Sequence, residues 1–135
     1  MAKWLLKTEP SEYSLDQLER AKRSTWDGVS NALALKHLRS MAVGDEIAIY
    51  HTGDEKAAVG LAKVVKATYP DPKSDDAKQV VVDIAFVSRL KKPVTLATIK
   101  ADKRFANWAL VKMGRLSVVP TDEAQWIALL ELAGQ

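Results

Sequence analysis

The chain has 135 residues, of which 47% are hydrophobic and 27% are charged, and it contains no cysteine. This size and composition are typical of one globular domain and exclude a disordered or fibrous chain. The lack of cysteine excludes disulfides, zinc–thiolate sites and thiol nucleophiles. The apolar run near Met1 is too short for a signal peptide or a membrane span. We therefore expect a cytoplasmic protein with a single domain over residues 1–135, no membrane association and a monomeric state.

The first forty residues predict one strand and two helices. Lys3–Lys7 is apolar at its centre and is followed by Pro10, which disfavours continued pairing of a strand. Ser14 and Gln17 have the spacing of a capping box, which predicts a helix to about Ala21. Apolar residues at helical spacing predict a second helix from about Asn31 to Arg39.

The middle of the chain predicts consecutive antiparallel strands. The segments Glu46–His51, Ala57–Ala67 and Gln79–Leu90 are rich in β-branched residues, and turn-forming residues separate them. Gly60 within the second of these strands predicts a bulge or a bend. The segment from Tyr69 to Lys78 is expected to be a loop.

The last forty residues predict short helical pieces, one closing strand and a final helix. The short pieces are Leu96–Lys100 and Phe105–Lys112, and the strand is Arg115–Val119, stopped by Pro120. Thr121 is the expected N-cap of the final helix. Short strands interleaved with small helices, without regular strand–helix alternation, predict an α+β fold built on a small barrel-like sheet with flanking short helices.

Positive charge is concentrated in one part of the sequence. The net formal charge is only +3, but Arg89–Arg115 holds eight basic residues and one acid, which gives +7 there and −4 elsewhere. Such asymmetry predicts either a surface that faces a polyanion or a solvated basic loop. The candidate phosphate contacts are Arg89, Lys91, Lys92, Lys103, Arg104 and Arg115.

The segment Trp26–Asn31 combines an indole, a carboxylate, a glycine and an amide within six residues. An indole face with polar groups nearby suits a planar ligand such as a nucleobase. A buried Trp followed by a tight turn would have the same sequence. If the strands that end near Lys7 and Tyr50 are neighbours, their ends would frame one cavity beside Trp26.

Residues for catalysis are scarce. The chain has only two histidines, His37 and His51. His51 with Glu9 or with Asp27 is a conceivable acid–base pair, so an RNA-processing or hydrolytic enzyme stays an alternative. The chain lacks the ligands of a zinc deaminase and the glycine patterns of nucleotide-binding loops. No metal or cofactor is predicted.

Several ordered motifs resemble those of the EVE domain family. They are Lys7-Thr8-Glu9-Pro10, Tyr13-Ser14, Trp26-Asp27-Gly28-Val29 with Asn31, Gly44-Asp45, Tyr50-His51 and Arg115-Leu116-Ser117-Val118. They cover nearly the whole chain in the order that the family has them. The resemblance implies a PUA-like fold, related to the YTH readers of methylated adenine and the SRA readers of methylated cytosine.

The resemblance also implies a non-enzymatic module that reads a modified base, such as methylated or hydroxymethylated cytosine in DNA, or a modified base in RNA. Trp26 would be the stacking wall, with Asp27, Gly28 and Val29 as its turn. The other residues implied for the pocket or its rim are Lys7, Thr8, Ser14, Asn31, Tyr50, His51 and Ser117, with Arg115 at phosphate or at the pocket edge. A general PUA-type RNA-binding module is a further alternative.

The chain departs from the family pattern at three places. Ser30 stands where arginine is common, Thr52–Lys56 differs from the usual continuation, and Asp71–Lys78 lacks an aromatic insertion found in many relatives. These departures affect the expected ligand more than the expected fold.

Overall fold

A computed structural model describes all residues from Met1 to Gln135 as a six-stranded mixed sheet with five short helices. The strands are β1 (Lys3–Thr8), β2 (Arg23–Trp26), β3 (Glu46–His51), β4 (Ala57–Pro70), β5 (Val80–Thr95) and β6 (Val118–Thr121). The helices are α1 (Leu15–Ala21), α2 (Ala32–Ser40), α3 (Leu96–Ala101), α4 (Ala109–Lys112) and α5 (Glu123–Leu132), with a 3₁₀ turn at Lys103–Phe105. None of these helices is long and apolar enough to span a membrane.

The strand order across the sheet is β2-β5-β4-β3-β1-β6. All neighbouring strands are antiparallel except β1 and β3, which run parallel with Lys7 opposite Tyr50 and Thr8 opposite His51. The two strands whose ends carry the sequence motifs are therefore neighbours, which was the condition stated for a shared cavity at their ends. The pairing of β4 with β5 shifts register several times, and one shift lies between Ala58 and Gly60, as the glycine predicted.

The core is one cluster of 35 buried hydrophobic residues to which every strand contributes. The capping box predicted at the start of α1 is present, because the Ser14 side chain accepts from the Gln17 backbone N–H and Gln17 reciprocates. Asn31 caps α2, where its side chain accepts from the Ala34 N–H at 3.0 Å. Local sequence thus defines both helix starts that flank the Trp26 segment.

Three expectations for the elements were wrong. Strand β2 (Arg23–Trp26) was not predicted, because its stability comes from pairing with distant β5 and its own four residues carry no alternating pattern. Pro120 does not stop the closing strand. It lies within β6 opposite Trp4, at an edge of the sheet where its missing N–H removes no ladder bond.

The third error concerns the cap of the final helix. Asp122, not Thr121, is the N-cap of α5, and its side chain accepts from the Gln125 N–H at 2.7 Å in a complete capping box. Thr121 is instead the last residue of β6, where its hydroxyl lies 3.2 Å from the indole Nε1 of Trp108. Thr121 and Asp122 are both residue types that cap helices. Because Thr121 pairs with Lys3 as part of β6, the capping position falls to Asp122.

Candidate base-binding cavity

A cavity of about 670 Å³ opens where the end of β1 meets β2 and the loop after β4. It is bounded by β1 and the segment before α1, by β2 with the turn that follows it, and by the loop that begins at the end of β4. The lining residues are Lys7, Thr8, Glu9, Glu12, Tyr13, Ser24, Thr25, Trp26, Asp27, Gly28, Val29, Tyr69, Asp71, Pro72, Lys73 and Ser117. This space is hereafter the large cavity.

Trp26 belongs to the core and to the cavity wall at the same time. Its side chain is only 7% exposed and packs in the core cluster, with the ring of Tyr13 edge-on at 6.1 Å between centroids. The indole N–H groups of Trp4 and Trp108 both donate within the protein, whereas those of Trp26 and Trp126 have no protein acceptor. Since no buried side-chain nitrogen or oxygen lacks a partner, the Trp26 N–H is open to solvent. Trp26 is also part of the lining of the large cavity.

The turn after Trp26 has two exposed residues, Asp27 and Gly28, between the buried Trp26 and Val29. Val29 is buried and anchors the turn, while Asp27 is exposed and lies 3.9 Å from the Lys73 ammonium across the cavity. Gly28 has φ of 76°, a left-handed conformation that disfavours any side chain, although a Cβ there would meet no atom within 4 Å. Backbone conformation, not space, therefore requires glycine at this position.

A hydrogen-bond network fixes the wall formed by β2 and β4. The Asp83 carboxylate accepts from the Tyr69 hydroxyl at 2.6 Å and from the Thr25 hydroxyl at 2.9 Å. Burial alone would raise the pKa of Asp83, but these hydrogen bonds and the charges of Lys66 and Arg23 hold that pKa below its ordinary value. The hydrogen bond to Asp83 is the main reason that the pKa of Tyr69 is raised. Tyr69 therefore stays a neutral hydroxyl that is held in place.

The lining of the large cavity is more acidic than basic. Four carboxylates (Glu9, Glu12, Asp27 and Asp71) face two ammonium groups (Lys7 and Lys73), a net charge of −2. Hydroxyl groups of Thr8, Ser24, Thr25, Tyr69 and Ser117 add further hydrogen-bonding capacity. Such a surface offers many acceptors to a ligand with amino groups, and it disfavours a bare anion.

Seven of the residues predicted for a base pocket line this cavity, namely Trp26, Asp27, Gly28, Val29, Lys7, Thr8 and Ser117. Four others do not. The side chains of Ser14 and Asn31 cap α1 and α2 respectively. Tyr50 lines a separate, smaller cavity, and His51 lies in the protein interior beneath the start of α1. Their predicted contact with a base stays a prediction.

His51 is bonded on both ring nitrogens. Its Nε2 accepts from the Leu15 backbone N–H at 3.0 Å, and its Nδ1 lies 2.6 Å from a Glu55 carboxylate oxygen. The acid–base pair that the sequence allowed, His51 with Glu9 or with Asp27, is therefore not formed. The His51 side chain instead links the end of β3 to the first turn of α1 through a hydrogen bond.

The basic residues of the Arg89–Arg115 segment lie outside the large cavity. Arg89 pairs with Asp16 and with Glu19, the latter at 2.8 Å. Arg104 pairs with Asp102 at 2.8 Å and with Glu131 at 2.7 Å. Lys91, Lys92, Lys103 and Arg115 line neither cavity. The sequence could not show that acidic residues elsewhere in the chain already neutralise both arginines, and a role in phosphate contact stays a prediction for all six residues.

Sequence reasoning missed about half of the lining. Ser24 and Thr25 were missed because β2 was not predicted, and the Tyr69–Lys73 segment was treated only as a connection. The sequence did contain one signal for this segment. Tyr69 directly precedes Pro70-Asp71-Pro72, and two prolines in such a short stretch indicate a stiff loop that holds the tyrosine ring in place. Glu12 carried no such signal, because only the tertiary structure places it in the same cavity lining as Trp26.

The strand order, the short flanking helices and the cavity define an α+β domain of the PUA-like class. A family model described as EVE domain matches residues 2–132. The chain belongs to the EVE domain family.

Human thymocyte nuclear protein 1 is 30% identical over 96% of this chain and 72% of the human protein. A structure of that human protein in complex with DNA containing 5-methylcytosine superposes with a TM-score of 0.91, at 29% identity, covering 100% of this chain and 99% of the other. A Rhodopseudomonas palustris protein solved by NMR is 41% identical with a TM-score of 0.93, covering 99% and 94% of the two chains.

Proposed function

We propose that this protein binds nucleic acid and holds a modified base, with 5-methylcytosine as the first candidate, in the large cavity against Trp26. The observation that carries the proposal is the position of Trp26, a wall of the cavity whose indole N–H is free of protein acceptors. The complex of human thymocyte nuclear protein 1 with methylated DNA supports the choice of ligand.

The chemistry of the cavity suits a base that has left its stack. Its volume of about 670 Å³ lies within the ~300–1,000 Å³ usual for small-ligand pockets. Stacking of a base on an aromatic side chain is worth about 1–3 kcal/mol. Cytosine carries an exocyclic amino group that Asp or Glu can accept from, and Asp27 directly follows Trp26. An enzyme or reader that needs the whole base must take it from the duplex.

Binding without chemical change is part of the proposal. His51, the histidine that the sequence offered as a catalytic base, has both ring nitrogens bonded within the protein. Incubation of the protein with methylated DNA and RNA, followed by mass spectrometry of the nucleosides, is expected to return them unchanged. A new product that disappears with His51→Ala would contradict this and favour the hydrolytic alternative.

The first experiment measures selectivity for modified bases. Labelled oligonucleotides with cytosine, 5-methylcytosine or 5-hydroxymethylcytosine in DNA, and with adenine or methylated adenine in RNA, are titrated with the protein at low salt. We expect at least one modified strand to bind more tightly than its unmodified counterpart. Equal affinity for all pairs, with a steep fall in added salt, would instead favour a general RNA-binding module.

The second experiment tests Trp26 directly. Trp26→Ala is expected to weaken binding of the preferred strand by about 1–3 kcal/mol, and Trp26→Phe, which keeps a ring in the core, by less. Trp126→Ala, which removes a Trp equally buried on α5 but remote from the cavity lining, is the control. Circular dichroism identifies any variant that fails to fold. Equal losses from a folded Trp26→Ala and a folded Trp126→Ala would contradict the stacking role.

A further inference from the structure

A second, smaller cavity lies next to the large one and has the opposite charge. Its volume is about 180 Å³, and its lining includes Lys7, Lys56 and Lys100 but no carboxylate. The rest of the lining is Tyr50, Thr52, Gly53, Leu96, Leu110, Val111 and Gly114. This space is hereafter the lysine cavity. Unpaired positive charge is thus concentrated in a recess, which raises the local concentration of anions.

The three ammonium groups have no acidic partner. No carboxylate lies within 4.0 Å of the ammonium nitrogen of Lys7, Lys56 or Lys100, whereas Arg89 and Arg104 each pair with two carboxylates. The Lys7 ammonium donates to the Gly114 carbonyl at 2.8 Å, its one protein acceptor. An ammonium group has three donors, so Lys7 keeps capacity for another acceptor.

Lys7 is also the residue that joins the two cavities, since it lines both. Half-burial of its ammonium lowers the pKa of Lys7, which means that the protein alone compensates its charge poorly. An anion beside it would relieve this cost. The Glu9 carboxylate lies against Gly53 and Thr52, at the rim of the lysine cavity. The charged groups of the lining itself are Lys7, Lys56 and Lys100.

The size of the lysine cavity restricts what it can hold. About 180 Å³ is below the ~300–1,000 Å³ of pockets for small ligands, so a base with its sugar does not fit as well as a single phosphate. Lysine is a usual point-charge partner of phosphate. The Tyr50 hydroxyl, whose pKa is raised by burial, stays protonated and adds a donor.

We propose that the lysine cavity binds a backbone phosphate of the strand whose base occupies the large cavity, through Lys7, Lys56 and Lys100. Each cavity then holds a different part of one nucleotide. The amino group of the base faces the carboxylates of the large cavity, and the phosphate faces the ammonium groups of the lysine cavity. The proposal rests on the proposed function for the identity of the strand. It does not depend on which base is preferred.

The test compares two double variants that lose the same charge. Lys56→Gln/Lys100→Gln removes two ammonium groups of the lysine cavity, whereas Lys36→Gln/Lys63→Gln removes two exposed lysines that line neither cavity. Affinity for a single-stranded oligonucleotide with one 5-methylcytosine is measured across a range of salt concentrations. The first variant is expected to bind about tenfold more weakly and to lose roughly one phosphate contact, a change in log–log slope of about 0.7. The control is expected to change much less.

Smaller ligands distinguish a strand phosphate from a free one. The probes are 5-methyl-2′-deoxycytidine, its 5′-monophosphate and inorganic phosphate, followed through the backbone amide signals of Gly53 and Gly114 by NMR. We expect the Lys56→Gln/Lys100→Gln variant to lose affinity for the monophosphate but not for the nucleoside. Strong binding of inorganic phosphate alone would identify a site for free phosphate and overturn the assignment to a strand.

The outcomes separate this proposal from the proposed function. If methylated and unmodified strands bind equally but the lysine variant still loses a salt-dependent contact, the base reader fails and the phosphate site stands. If methylated strands are preferred and the two double variants bind alike, the phosphate site fails. If no phosphate-bearing probe shifts the Gly53 or Gly114 signal in the parent protein, the phosphate site fails as well.

Discussion

At the scale of single residues, two carboxylates hold separate segments of the chain together through their hydrogen bonds. Asp83 lies outside the cavity, yet it accepts from Thr25 and Tyr69, which both line it. Asp45 acts similarly at the other end of the sheet, where its carboxylate accepts from the Trp4 indole at 3.0 Å and from the Ala42 N–H at 2.9 Å. Such residues carry no signal in the sequence, because their partners are distant along the chain.

The Asp83 network makes stability depend on pH in a defined direction. The pKa of Asp83 is lower in the folded chain than its ordinary value of 3.8, so the folded state favours the carboxylate. Its contribution is complete above that ordinary value and is lost as the pH falls through the folded pKa. Asp83→Asn is expected to lower the free energy of unfolding at pH 7 by about 1 kcal/mol.

Urea unfolding of the parent and of Asp83→Asn between pH 2 and pH 7 measures this contribution. The difference between the two proteins should be constant near neutral pH and should shrink in acid, where Asp83 becomes neutral in both states. A difference that grows as the pH falls would contradict the depressed pKa. Thr25→Val, which removes one donor to the carboxylate, should reproduce part of the loss.

At the scale of elements, α1 packs on the sheet at a point where β4 has no side chain. A Cβ at Gly60 would lie 2.5 Å from one methyl carbon of Leu15 and 2.7 Å from the other, and Leu15 is 1% exposed. The glycine lies at a register shift on both sides of β4. The close approach of α1 and the bulge in β4 together explain why residue 60 is glycine. Tyr13, just before α1, has its ring 6.1 Å from that of Trp26.

Gly60→Ala is expected to lower the free energy of unfolding by about 1–3 kcal/mol, because a buried Leu must move to admit the methyl group. Gly114→Ala is a matched control for stability, since a Cβ there meets nothing within 4 Å and Gly114 has no left-handed φ. Thermal unfolding of both variants measures the difference. Equal stability of the two would show that α1 can shift without cost.

At the scale of the whole molecule, one core unites all the strands. Strand β1 is completely buried at its centre and pairs with β3 on one side and with β6, from the end of the chain, on the other. The two edge strands β2 and β6 are short, at four residues each. Short edge strands leave few unpaired backbone N–H and C=O groups that could pair with a strand of another chain.

A single core predicts a single unfolding transition. Trp4, Trp26, Trp108 and Trp126 are all buried in the 35-residue cluster, so their fluorescence should report the same event as the far-ultraviolet circular dichroism. We expect coincident midpoints in urea, as for a two-state domain. Two separate transitions would contradict the expectation that residues 1–135 form one domain.

The sequence by itself determined the features that depend on neighbours along the chain. The helix cap at Ser14, the bulge at Gly60 and the turn after Trp26 all follow from short-range backbone chemistry, and the structure has each of them. The start of α2 near Asn31 was also predicted, although the capping role of its side chain was not. The ordered motifs also determined the family. Apolar and β-branched content bounded by turn-forming residues predicted most strands for the same reason, because these are local patterns.

Only the tertiary structure decided what depends on long-range pairing. It formed β2 against β5, placed Pro120 in an edge strand, and directed His51 toward α1 instead of toward Glu9 or Asp27. It also neutralised Arg89 and Arg104 with acids from other elements, while Lys7, Lys56 and Lys100 met around one cavity without any. Charge counted along the sequence cannot distinguish these cases, because electrostatic interaction falls with distance in space and not with separation along the chain.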